Sequence, residues 1–496
     1  MSVAHTNQKV LIANRGEIAQ RIIKTCRRLD VATVAIFHDI DSGSPYIDKA
    51  DESCEIVGAT PTGAYLDIEQ IVRVARLHGA TAVHPGYGFL AENSEFAQAV
   101  IDAGLLFIGP SPKVIRLLGD KVAAREFVSQ HNVPLAPSTS TGDSMDELLE
   151  QALNIGFPLL IKAAAGGGGK GMHIVHEQAE FEAAFNLACS EAQRYFGDPR
   201  VYCEKYLARP RHIEVQILAD QHGNCVHLGE RDCSVQRRFQ KVIEESPAPG
   251  LSAALRERIC ASAVTIAREA GYTNAGTVEF ILGEDGEFYF LEMNTRLQVE
   301  HPVTEMVTGI DLVEVQLEIG AGNWLPFEQK DVTFKGHAIE MRICAEDCDA
   351  DFVPATGRVA LLRDANGDGI RLDSGLSEGM NVTAAFDPML AKLIVFGADR
   401  AAAIALGRRA IVEQVILGVT TNCGFLNRVL AHPAFQSGDV HTHFISEHKS
   451  NLLRKAPQED TVASLIAIAA CNDPEFQRLI LNTPHPHASM GAWRNA

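Results

Sequence analysis

Over the first 110 residues the hydrophobic positions follow two different spacings, which predicts strands alternating with helices. Residues 10–13 form a short apolar run, and residues 32–37 and 81–84 form two more. After the first run, apolar residues recur at helical spacing, at Ile18, Ile22, Cys26 and Leu29. This alternation is typical of an open α/β domain with parallel strands. The turn at residues 14–17 follows the first strand, where a doubly wound sheet binds ligands.

The rest of the chain changes character twice. Residues 112–135 have a helical pattern, residues 158–162 and 172–175 look like strands, and residues 200–300 are strand-rich apart from a helix near 253–270. A second strand-rich region runs from 333 to about 397 and precedes a helix over roughly 398–415. We therefore expect domains over residues 1–115, 116–330 and 331–450, followed by a linker and tail over 451–496.

Composition limits the possible functions. A chain of 496 residues is too long to fold around a single hydrophobic core, so more than one domain is expected. A hydrophobic content of 46% is that of a globular protein. No run of about 18 apolar residues occurs, so no membrane span is expected. The net charge of -19 argues against general nucleic-acid binding. The 11 cysteines form no CxxC pair, so we expect reduced thiols in a cytoplasmic protein.

One segment carries polar side chains at every second position, which we call the polar row: Glu292, Asn294, Arg296, Gln298 and Glu300. In an extended strand, alternate side chains share a face, so the polar row would face one common space. Its carboxylates, amides and guanidinium would suit cations and small oxyanions. Most of the other face would be apolar, with Leu291, Met293, Leu297 and Val299.

A further carboxylate, Glu279, precedes the polar row in a hairpin-like stretch. If residues 284–285 form the tight turn, Glu292 lies opposite Thr277 and Glu279 is its diagonal neighbour on the same face. Diagonal neighbours are about 7–8 Å apart, close enough for two glutamates to share metal ions. Hard carboxylate oxygens favour Mg²⁺ or Mn²⁺ that also holds nucleotide phosphates. Phe288 and Phe290 would share this face, which argues against a fully solvated hairpin.

A glycine-rich segment, residues 163–171, joins two strand-like runs. It fails the P-loop pattern, because Ala164 stands at the first glycine position and Gly171 replaces the Ser or Thr after the lysine. Its unobstructed backbone N–H groups could still close over phosphates. We interpret the segment as a mobile lid, with a flexible surface loop as the alternative. No GxGxxG follows the first strand, which argues against a dinucleotide site.

Two other polar segments are ambiguous when taken alone. Residues 231–241 concentrate four cations and two glutamines in 11 residues, which fits a solvated surface as well as an anion pocket. The polar row makes the anion pocket the better interpretation. Glu204 and Lys205 follow a strand-like run, and a bend there could offer backbone groups to a purine.

Together these segments resemble the biotin carboxylase family, which has the ATP-grasp fold. The matching stretches run in order along the chain, at residues 12–18 (IANRGEI), 84–90 (HPGYGFL), 119–121 (GDK), 166–172 (GGGGKGM), 204–207 (EKYL), 210–212 (PRH), 231–234 (RDCS), 292–296 (EMNTR) and 298–305 (QVEHPVTE). The resemblance implies an α/β and α+β architecture. An N-terminal open, Rossmann-like parallel-sheet domain would precede the ATP-grasp domain, with its lid at about 136–208, and a strand-rich C-terminal domain.

The resemblance also implies a role for each polar cluster. The implied nucleotide-binding residues are Lys121 and Lys162 at the phosphates, Gly166, Gly167, Gly168 and Gly169 in the lid, Glu204, Lys205 and Leu207 at the adenine, His212 at the ribose, and Gln236. The implied metal ligands are Glu279, Glu292 and Asn294. The residues implied at the reacting groups are Lys241, Arg296, Gln298 and the Val299 backbone for bicarbonate, Glu300 as its base, Arg342 for the biotin enolate, and Tyr87 beside the biotin ring.

The implied activity is that of an ATP-dependent ligase that carboxylates biotin, the first half-reaction of an acyl-CoA carboxylase. Bicarbonate is a poor electrophile, which ATP converts to carboxyphosphate. That step needs Mg²⁺ or Mn²⁺ at the transferring phosphoryl group and a base near bicarbonate. The CO2 released is then attacked by N1 of the ureido ring, and a fixed cation stabilises the developing enolate.

Four positions depart from the family pattern. Phe239 stands where histidine is usual, so a hydrogen-bond donor to a phosphate or water is missing. Residues 383–387 (TAAFD) replace a Pro-Tyr-Tyr-Asp type of segment, which could change dimer contacts or biotin access. Cys344 replaces a common asparagine, and Ala165 replaces a glycine of the lid. The expected metal and bicarbonate residues all remain, so we expect an active enzyme.

The expected partners are a biotin carrier and a carboxyltransferase subunit, within a homodimer or a larger complex, without nucleic acid or membrane. No Met-Lys-Met triplet occurs, so biotin is expected on another protein or segment. Residues 491–494 (GAWR) look like the Gly-Trp-Arg of longer acyl-CoA carboxylase α-subunits, which indicates a truncated or split α-subunit for an acyl-CoA other than acetyl-CoA. Two alternatives stay open: an ATP-grasp ligase for another carboxylate, and a non-catalytic subunit, motivated by Phe239.

Overall fold

The computed structural model describes residues 8–164 and 172–453. The predicted lid glycines, Ala165 and the tail from residue 454, with residues 491–494, lie outside the described residues. In the part of the chain that is described, no helix is both long and apolar enough to cross a membrane. The described cysteines are all free thiols.

The N-terminal part forms the open parallel sheet that the sequence predicts. Its five strands are β1 (Lys9–Ile12), β2 (Ala32–Phe37), β3 (Glu52–Glu55), β4 (Ala82–His84) and β5 (Leu106–Phe107). Its helices are α1 (Gly16–Arg28), α2 (Pro45–Lys49), α3 (Pro61–Tyr65), α4 (Ile68–Leu77) and α5 (Ser94–Asp102). The strand order is β3-β2-β1-β4-β5. Alternate residues of β1 belong to two different hydrophobic clusters, so both faces of the sheet are buried.

A small antiparallel sheet with its own hydrophobic cluster follows. This part contains α6 (Pro112–Gly119), α7 (Lys121–Ser129), α8 (Met145–Ile155), β6 (Leu159–Ala163), β7 (Met172–Val175), α9 (Phe181–Phe196) and β8 (Val201–Lys205). The strand order is β7-β6-β8. Ile161 of β6 and Cys203 of β8 are fully buried against α8 and α9. The sheet presents Lys162 and Glu204 from neighbouring strands.

The remaining elements are mostly strands, joined by helices on the connections. The strands are β9 (Arg211–Ala219), β10 (Cys225–Arg237), β11 (Gln240–Ser246), β12 (Asn274–Leu282), β13 (Phe288–Asn294), β14 (His337–Cys344), β15 (Glu346–Asp347), β16 (Val353–Pro354), β17 (Gly357–Arg358), β18 (Leu361–Arg363), β19 (Ile370–Ser374), β20 (Asn381–Val382), β21 (Met389–Gly397) and β22 (Val415–Leu417). The helices are α10 (Ala253–Glu269), α11 (His301–Thr308), α12 (Leu312–Gly320), α13 (Arg400–Glu413), α14 (Cys423–Ala431), α15 (Pro433–Ser437), α16 (Phe444–Glu447) and α17 (Lys449–Leu452).

Eight of these strands form one antiparallel sheet, in the order β13-β12-β9-β10-β11-β14-β21-β19. Strand β11 pairs with β14 through Ile243 and Met341. The strand-rich regions on either side of residue 330 therefore share a sheet. Together with the parallel sheet, this confirms the predicted α/β and α+β fold class.

The β12–β13 hairpin has a different register from the predicted one. Glu279 lies directly opposite Glu292, and Thr277 lies opposite Asn294. The turn spans residues 283–287, where the Gly283 N–H donates to the Glu287 carbonyl at 2.8 Å, so it is longer than the two-residue turn that we assumed. One extra residue, Leu291, is then inserted into β13, because Phe280 pairs with Phe290 while Glu279 pairs with Glu292.

This bulge decides which side chains face the core. Phe288 and Phe290 pack edge-on against Phe280 in the core, so the prediction that they share the face of Glu292 is wrong. Beyond the extra residue, Met293 takes the core position. Glu292 and Asn294 are thereby turned to the opposite face, which carries Glu279.

The polar row is not one continuous strand. Strand β13 ends at Asn294, and Glu300 is the residue before α11. The chain leaves the sheet because the Thr295 N–H donates to the Glu92 carboxylate at 3.0 Å rather than to a neighbouring strand. The next helix begins at His301, with Pro302 in its first turn.

Candidate functional site

A cavity of about 640 Å³ lies where strands of both antiparallel sheets meet. Its lining contains all but one of the predicted site residues that the structure describes. The residues in the lining are Lys121, Lys162, Glu204, Lys205, Leu207, His212, Gln236, Lys241, Glu279, Glu292, Asn294, Arg296, Gln298, Val299, Glu300 and Arg342. The exception is Tyr87, which packs against the hydrophobic cluster around α1. Residues far apart in sequence thus share one space.

Lys241, at the start of β11, is the central cation of this cavity. Its Nζ donates to Glu214 at 2.5 Å, to Glu279 at 2.8 Å and to Glu300 at 2.6 Å. Burial lowers the pKa of Lys241, but these three carboxylates together raise it well above its ordinary value. Lys241 is therefore charged at any physiological pH and can hold an anion.

Glu300 is fully buried between two cations. Oε1 accepts from Lys241 at 2.6 Å, and Oε2 accepts from the Arg342 guanidinium at 3.0 Å. Burial raises the pKa of Glu300, but Lys241 and Arg342 outweigh it and hold the pKa below its ordinary value. The carboxylate is thus ionised and able to accept a proton. An anion that drew Lys241 away would raise this pKa and make Glu300 a stronger base.

Arg342, on β14, joins Glu300 to a second buried carboxylate. Its Nε donates to Glu244 Oε1 at 2.6 Å. Burial raises the pKa of Glu244 to about 7, against the opposing charge of Arg342. Arg342 is therefore a fixed cation at this end of the cavity.

A group of hard oxygen atoms lies beside Lys241. Glu279 Oε1 accepts from Asn294 Nδ2 at 2.8 Å and from Gln298 Nε2 at 2.7 Å, and His212 Nε2 lies 2.8 Å from Glu279 Oε2. Burial raises the pKa of Glu279, but Lys241 and His212 hold it well below its ordinary value.

The opposed carboxylates of Glu279 and Glu292 are held by cations and N–H donors, including Lys121 Nζ at 3.3 Å from Glu292. A divalent ion could take the place of these partners. With the amide oxygen of Asn294, the set has the chemistry that Mg²⁺ and Mn²⁺ favour. Ligand atoms of His212, Glu214 and Glu279 also lie within 4.8 Å of one another, but Lys241 already supplies a positive charge to both glutamates.

The other end of the cavity is built by the small sheet. Glu204 is buried, and its carboxylate pairs with Lys162 and with Arg125 at 2.7 Å. Burial raises the pKa of Glu204, but Lys162 and Arg125 lower it below its ordinary value. The chain then bends, with the Lys205 N–H donating to the Pro137 carbonyl at 2.9 Å. This bend carries Lys205 and Leu207 into the lining.

The cationic segment 231–241 does not form one anion pocket. Arg231 is fully buried and donates to Glu214 at 2.5 Å, and Arg237 pairs with Glu346 at 2.8 Å. Arg238 is exposed and lies 3.1 Å from Asp351. Of the four predicted cations, only Lys241 donates to both Glu279 and Glu300. Arg231 instead meets Glu214 from the interior, and Arg238 at the tip of the hairpin faces solvent.

Several charged residues that hold the site were missed by the sequence analysis. Arg125 pairs with Glu204, and Glu92 accepts from the Arg296 Nε at 2.9 Å. Glu214 follows His212 by two residues in β9, so the same alternation that identified the polar row could have identified it. Nothing in the local sequence indicates Glu92, because its partner lies 204 positions away.

Of the departures from the family pattern that the structure describes, two line the cavity and one packs against the N-terminal part. Phe239 is 57% exposed at the tip between β10 and β11, with a left-handed φ of 64°, and it lines the cavity. Cys344 also lines the cavity, and its N–H donates to Asn422 at 2.9 Å. Phe386, within residues 383–387, packs against Tyr65 and Phe89 of the N-terminal part.

Comparison with known proteins matches nearly the whole chain. Residues 6–115 match the family described as biotin carboxylase, N-terminal domain, residues 120–328 match the carbamoyl-phosphate synthase L chain, ATP binding domain, and residues 340–447 match the biotin carboxylase C-terminal domain. A biotin carboxylase from Nostoc sp. is 48% identical over 440 residues, which cover 88% of this chain and 98% of that protein.

Two further relatives belong to larger carboxylases. The mitochondrial methylcrotonoyl-CoA carboxylase subunit alpha of Dictyostelium discoideum is 46% identical over 490 residues, covering 98% of this chain and 70% of that protein. The biotin carboxylase domain of Hydrogenobacter thermophilus 2-oxoglutarate carboxylase, solved with magnesium ADP, ADP and bicarbonate, has a TM-score of 0.87 at 42% identity. It covers 90% of this chain and 99% of that domain.

Proposed function

The chain belongs to the biotin carboxylase family of ATP-grasp enzymes, and we propose that it carries out the first half-reaction of an acyl-CoA carboxylase. The reaction of the family is the ATP-dependent carboxylation of biotin, with bicarbonate as the carbon source. Biotin would be held on a separate carrier protein or segment. The acyl-CoA assignment is supported by the 46% identity to a methylcrotonoyl-CoA carboxylase subunit. The 2-oxoglutarate carboxylase domain is similar at 42%, so a 2-oxo acid is the competing final acceptor.

The observation that carries this proposal is the position of Glu300 between Lys241 and Arg342. A buried, ionised carboxylate with a cation on either side can receive a proton from bicarbonate while Lys241 holds the anion. The same cavity reaches Lys162 and Glu292, so a nucleotide phosphate can approach this point.

The proposed steps follow from these positions. Lys241, Arg296, Gln298 and the Val299 N–H bind bicarbonate, and Glu300 removes its proton. The bicarbonate oxygen then attacks the γ-phosphorus of ATP, which breaks the bond to ADP and forms carboxyphosphate. Carboxyphosphate yields CO2 and phosphate, the phosphate takes the proton from N1 of biotin, and N1 attacks the CO2. The Arg342 guanidinium stabilises the negative charge on the ureido oxygen, with Tyr87 beside the biotin ring.

The remaining residues hold the nucleotide and its metal. Glu279, Glu292 and Asn294 would hold Mg²⁺ or Mn²⁺, which neutralises charge on the transferring phosphoryl group when bound. Lys121 and Lys162 bind the phosphates. Glu204, Lys205 and Leu207 bind the adenine, His212 binds the ribose, and Gln236 contributes to the same site. His212 would then exchange its contact with Glu279 for one with the nucleotide.

We also propose the division of the chain into functional parts. Residues 1–115 form the N-terminal domain, residues 116–330 the ATP-grasp domain with its lid at about 136–208, and residues 331–450 the C-terminal domain, with a linker and tail beyond. The matched ranges support this division, as does the separate hydrophobic cluster of the small sheet. A biotin carrier and a carboxyltransferase subunit are the proposed partners, in a homodimer or larger complex. A cytoplasmic location stays a prediction.

Labelled bicarbonate tests the proposal. With ATP, Mg²⁺ and free biotin, the label should appear on biotin in an acid-labile form, and omission of ATP should prevent this. Label in a different carboxylate product, independent of biotin, would support the ligase alternative. Nucleotide binding without any product would support the non-catalytic alternative.

A further inference from the structure

Lys392 of β21 is a fully buried cation behind the proposed bicarbonate site. Its Nζ donates to the Val299 carbonyl at 2.9 Å and lies 3.2 Å from Glu17 Oε1 on α1. The face of the Tyr87 ring lies on another side, with its centroid 5.7 Å from Nζ. Burying an ammonium group is costly unless its partners compensate. The steps proposed above do not use this group.

The carbonyl that Lys392 binds belongs to the peptide that carries the Glu300 N–H. Because a peptide unit is planar, holding the Val299 carbonyl sets the orientation of the backbone on both sides of it. The preceding carbonyl, of Gln298, lies 2.7 Å from His301 Nδ1. Both carbonyls of this turn are therefore held from behind by buried side chains, while the side chains of Gln298 and Glu300 point forward to Glu279 and Lys241.

We propose that Lys392 is a positioning residue, which fixes the Val299–Glu300 peptide so that the Glu300 carboxylate meets bicarbonate. This inference rests on the proposed function. Glu17 lies beside the Lys392 ammonium group, and α1 thereby links the N-terminal sheet to this turn. A shift of this peptide would misplace the base, and through the Cα of Val299, which joins it to the preceding peptide, it would also move the Val299 N–H.

A purely structural role is the competing explanation, in which the Lys392–Glu17 pair only joins α1 to β21. The variant K392M alone would leave Glu17 buried without its partner. The double variant K392M/E17Q removes both charges, and the control E17Q keeps Lys392 and its bond to Val299. In K392M/E17Q we expect kcat/KM for bicarbonate to fall about 10- to 100-fold, the effect of losing one charge-assisted hydrogen bond. The KM for ATP should stay that of the wild type, because the phosphates bind at Lys121 and Lys162. E17Q should resemble the wild type in both.

The outcomes separate the two explanations. Three results would each overturn the positioning role. The first is an equal loss of kcat/KM for bicarbonate and for ATP in K392M/E17Q, and the second is wild-type kinetics in that variant. The third is a loss of kcat/KM for bicarbonate in E17Q as large as in the double variant. If K392M/E17Q unfolds at the assay temperature, K392Q/E17Q gives the same comparison. This variant keeps polar groups at both positions, but the glutamine side chain at position 392 is too short to reach the Val299 carbonyl. A wild-type protein without bicarbonate-dependent ADP release would instead refute the proposed function, before any variant is compared.

Discussion

Replacing Glu300 with glutamine should separate proton removal from binding, because the two side chains have nearly the same shape. Both oxygens of Glu300 accept from cations, Oε1 from Lys241 at 2.6 Å and Oε2 from Arg342 at 3.0 Å. A glutamine has one oxygen and one NH2 group, so its nitrogen must face one of these two donors. The lost charge-assisted hydrogen bond should lower the free energy of unfolding by about 1.5–3 kcal/mol.

The effect on turnover should be larger than the effect on stability. A general base contributes about 10²- to 10⁴-fold to rate, so bicarbonate-dependent ADP release in E300Q should fall by about that factor. Nucleotide binding should persist, because Lys162 and Glu204 lie at the other end of the cavity. Coupled detection of ADP measures the rate, and ADP-dependent thermal stabilisation measures binding.

Glu346 offers a matched control on the same cavity. It is also buried and accepts one hydrogen bond from an arginine, Arg237, at 2.8 Å, but the proposed reaction does not use it. E346Q should therefore lose some stability and keep the bicarbonate-dependent turnover of the wild type. Wild-type turnover in E300Q, or an equal loss in E346Q, would refute the assignment of Glu300 as the base.

Three other predictions follow from the charges and departures of this site. Burial raises the pKa of Glu17 to about 7, from an ordinary value of 4.5, so the folded chain binds a proton that the unfolded chain releases. The stability that this group contributes is lost as pH rises from about 4.5 to about 7. In denaturant titrations over that range, the unfolding free energy of E17Q should therefore fall less than that of the wild type. An equal fall in the two proteins would contradict the raised pKa. F239H should raise kcat/KM for ATP by about 2- to 10-fold by adding a hydrogen-bond donor, whereas an unchanged or lower value would show that no donor is needed there. Chelation of divalent metal ions should abolish ADP release, and added Mg²⁺ or Mn²⁺ should restore it. E292Q should need more Mg²⁺ than the wild type for half-maximal turnover. Turnover in excess chelator would exclude the proposed metal ligands.

Local periodicity was sufficient to predict the elements but not their register. Strand β2 has the predicted bounds, and α10 lies within one residue of the predicted range, because apolar spacing depends on neighbours in the sequence. The hairpin register was wrong for two reasons: the turn is longer than the two residues assumed, and the bulge at Leu291 breaks the alternation beyond Phe290. The even positions do change from Phe288 and Phe290 to Glu292 and Asn294, but only the strand pairing shows that an extra residue turns Glu292 away from the core.

The polar row shows what alternation can and cannot predict about a site. Its side chains do meet, since Gln298 donates to Glu279 and Lys241 joins Glu279 to Glu300. They meet through a turn rather than through a strand, and the contacts that shape the turn come from distant segments. Lys392 is 93 residues from Val299. Such partners depend on the tertiary fold, so the sequence pattern indicated the side chains that line the cavity better than the residues that hold them in place.

We propose that this cavity uses ATP to activate bicarbonate for transfer to biotin. The most direct measurement is the rate of ADP release by the purified protein, with bicarbonate and free biotin varied independently in the presence of Mg²⁺. We predict no release without bicarbonate and a rate that rises with added biotin. ADP release that persists in bicarbonate-free buffer, or that does not respond to biotin, would contradict the account.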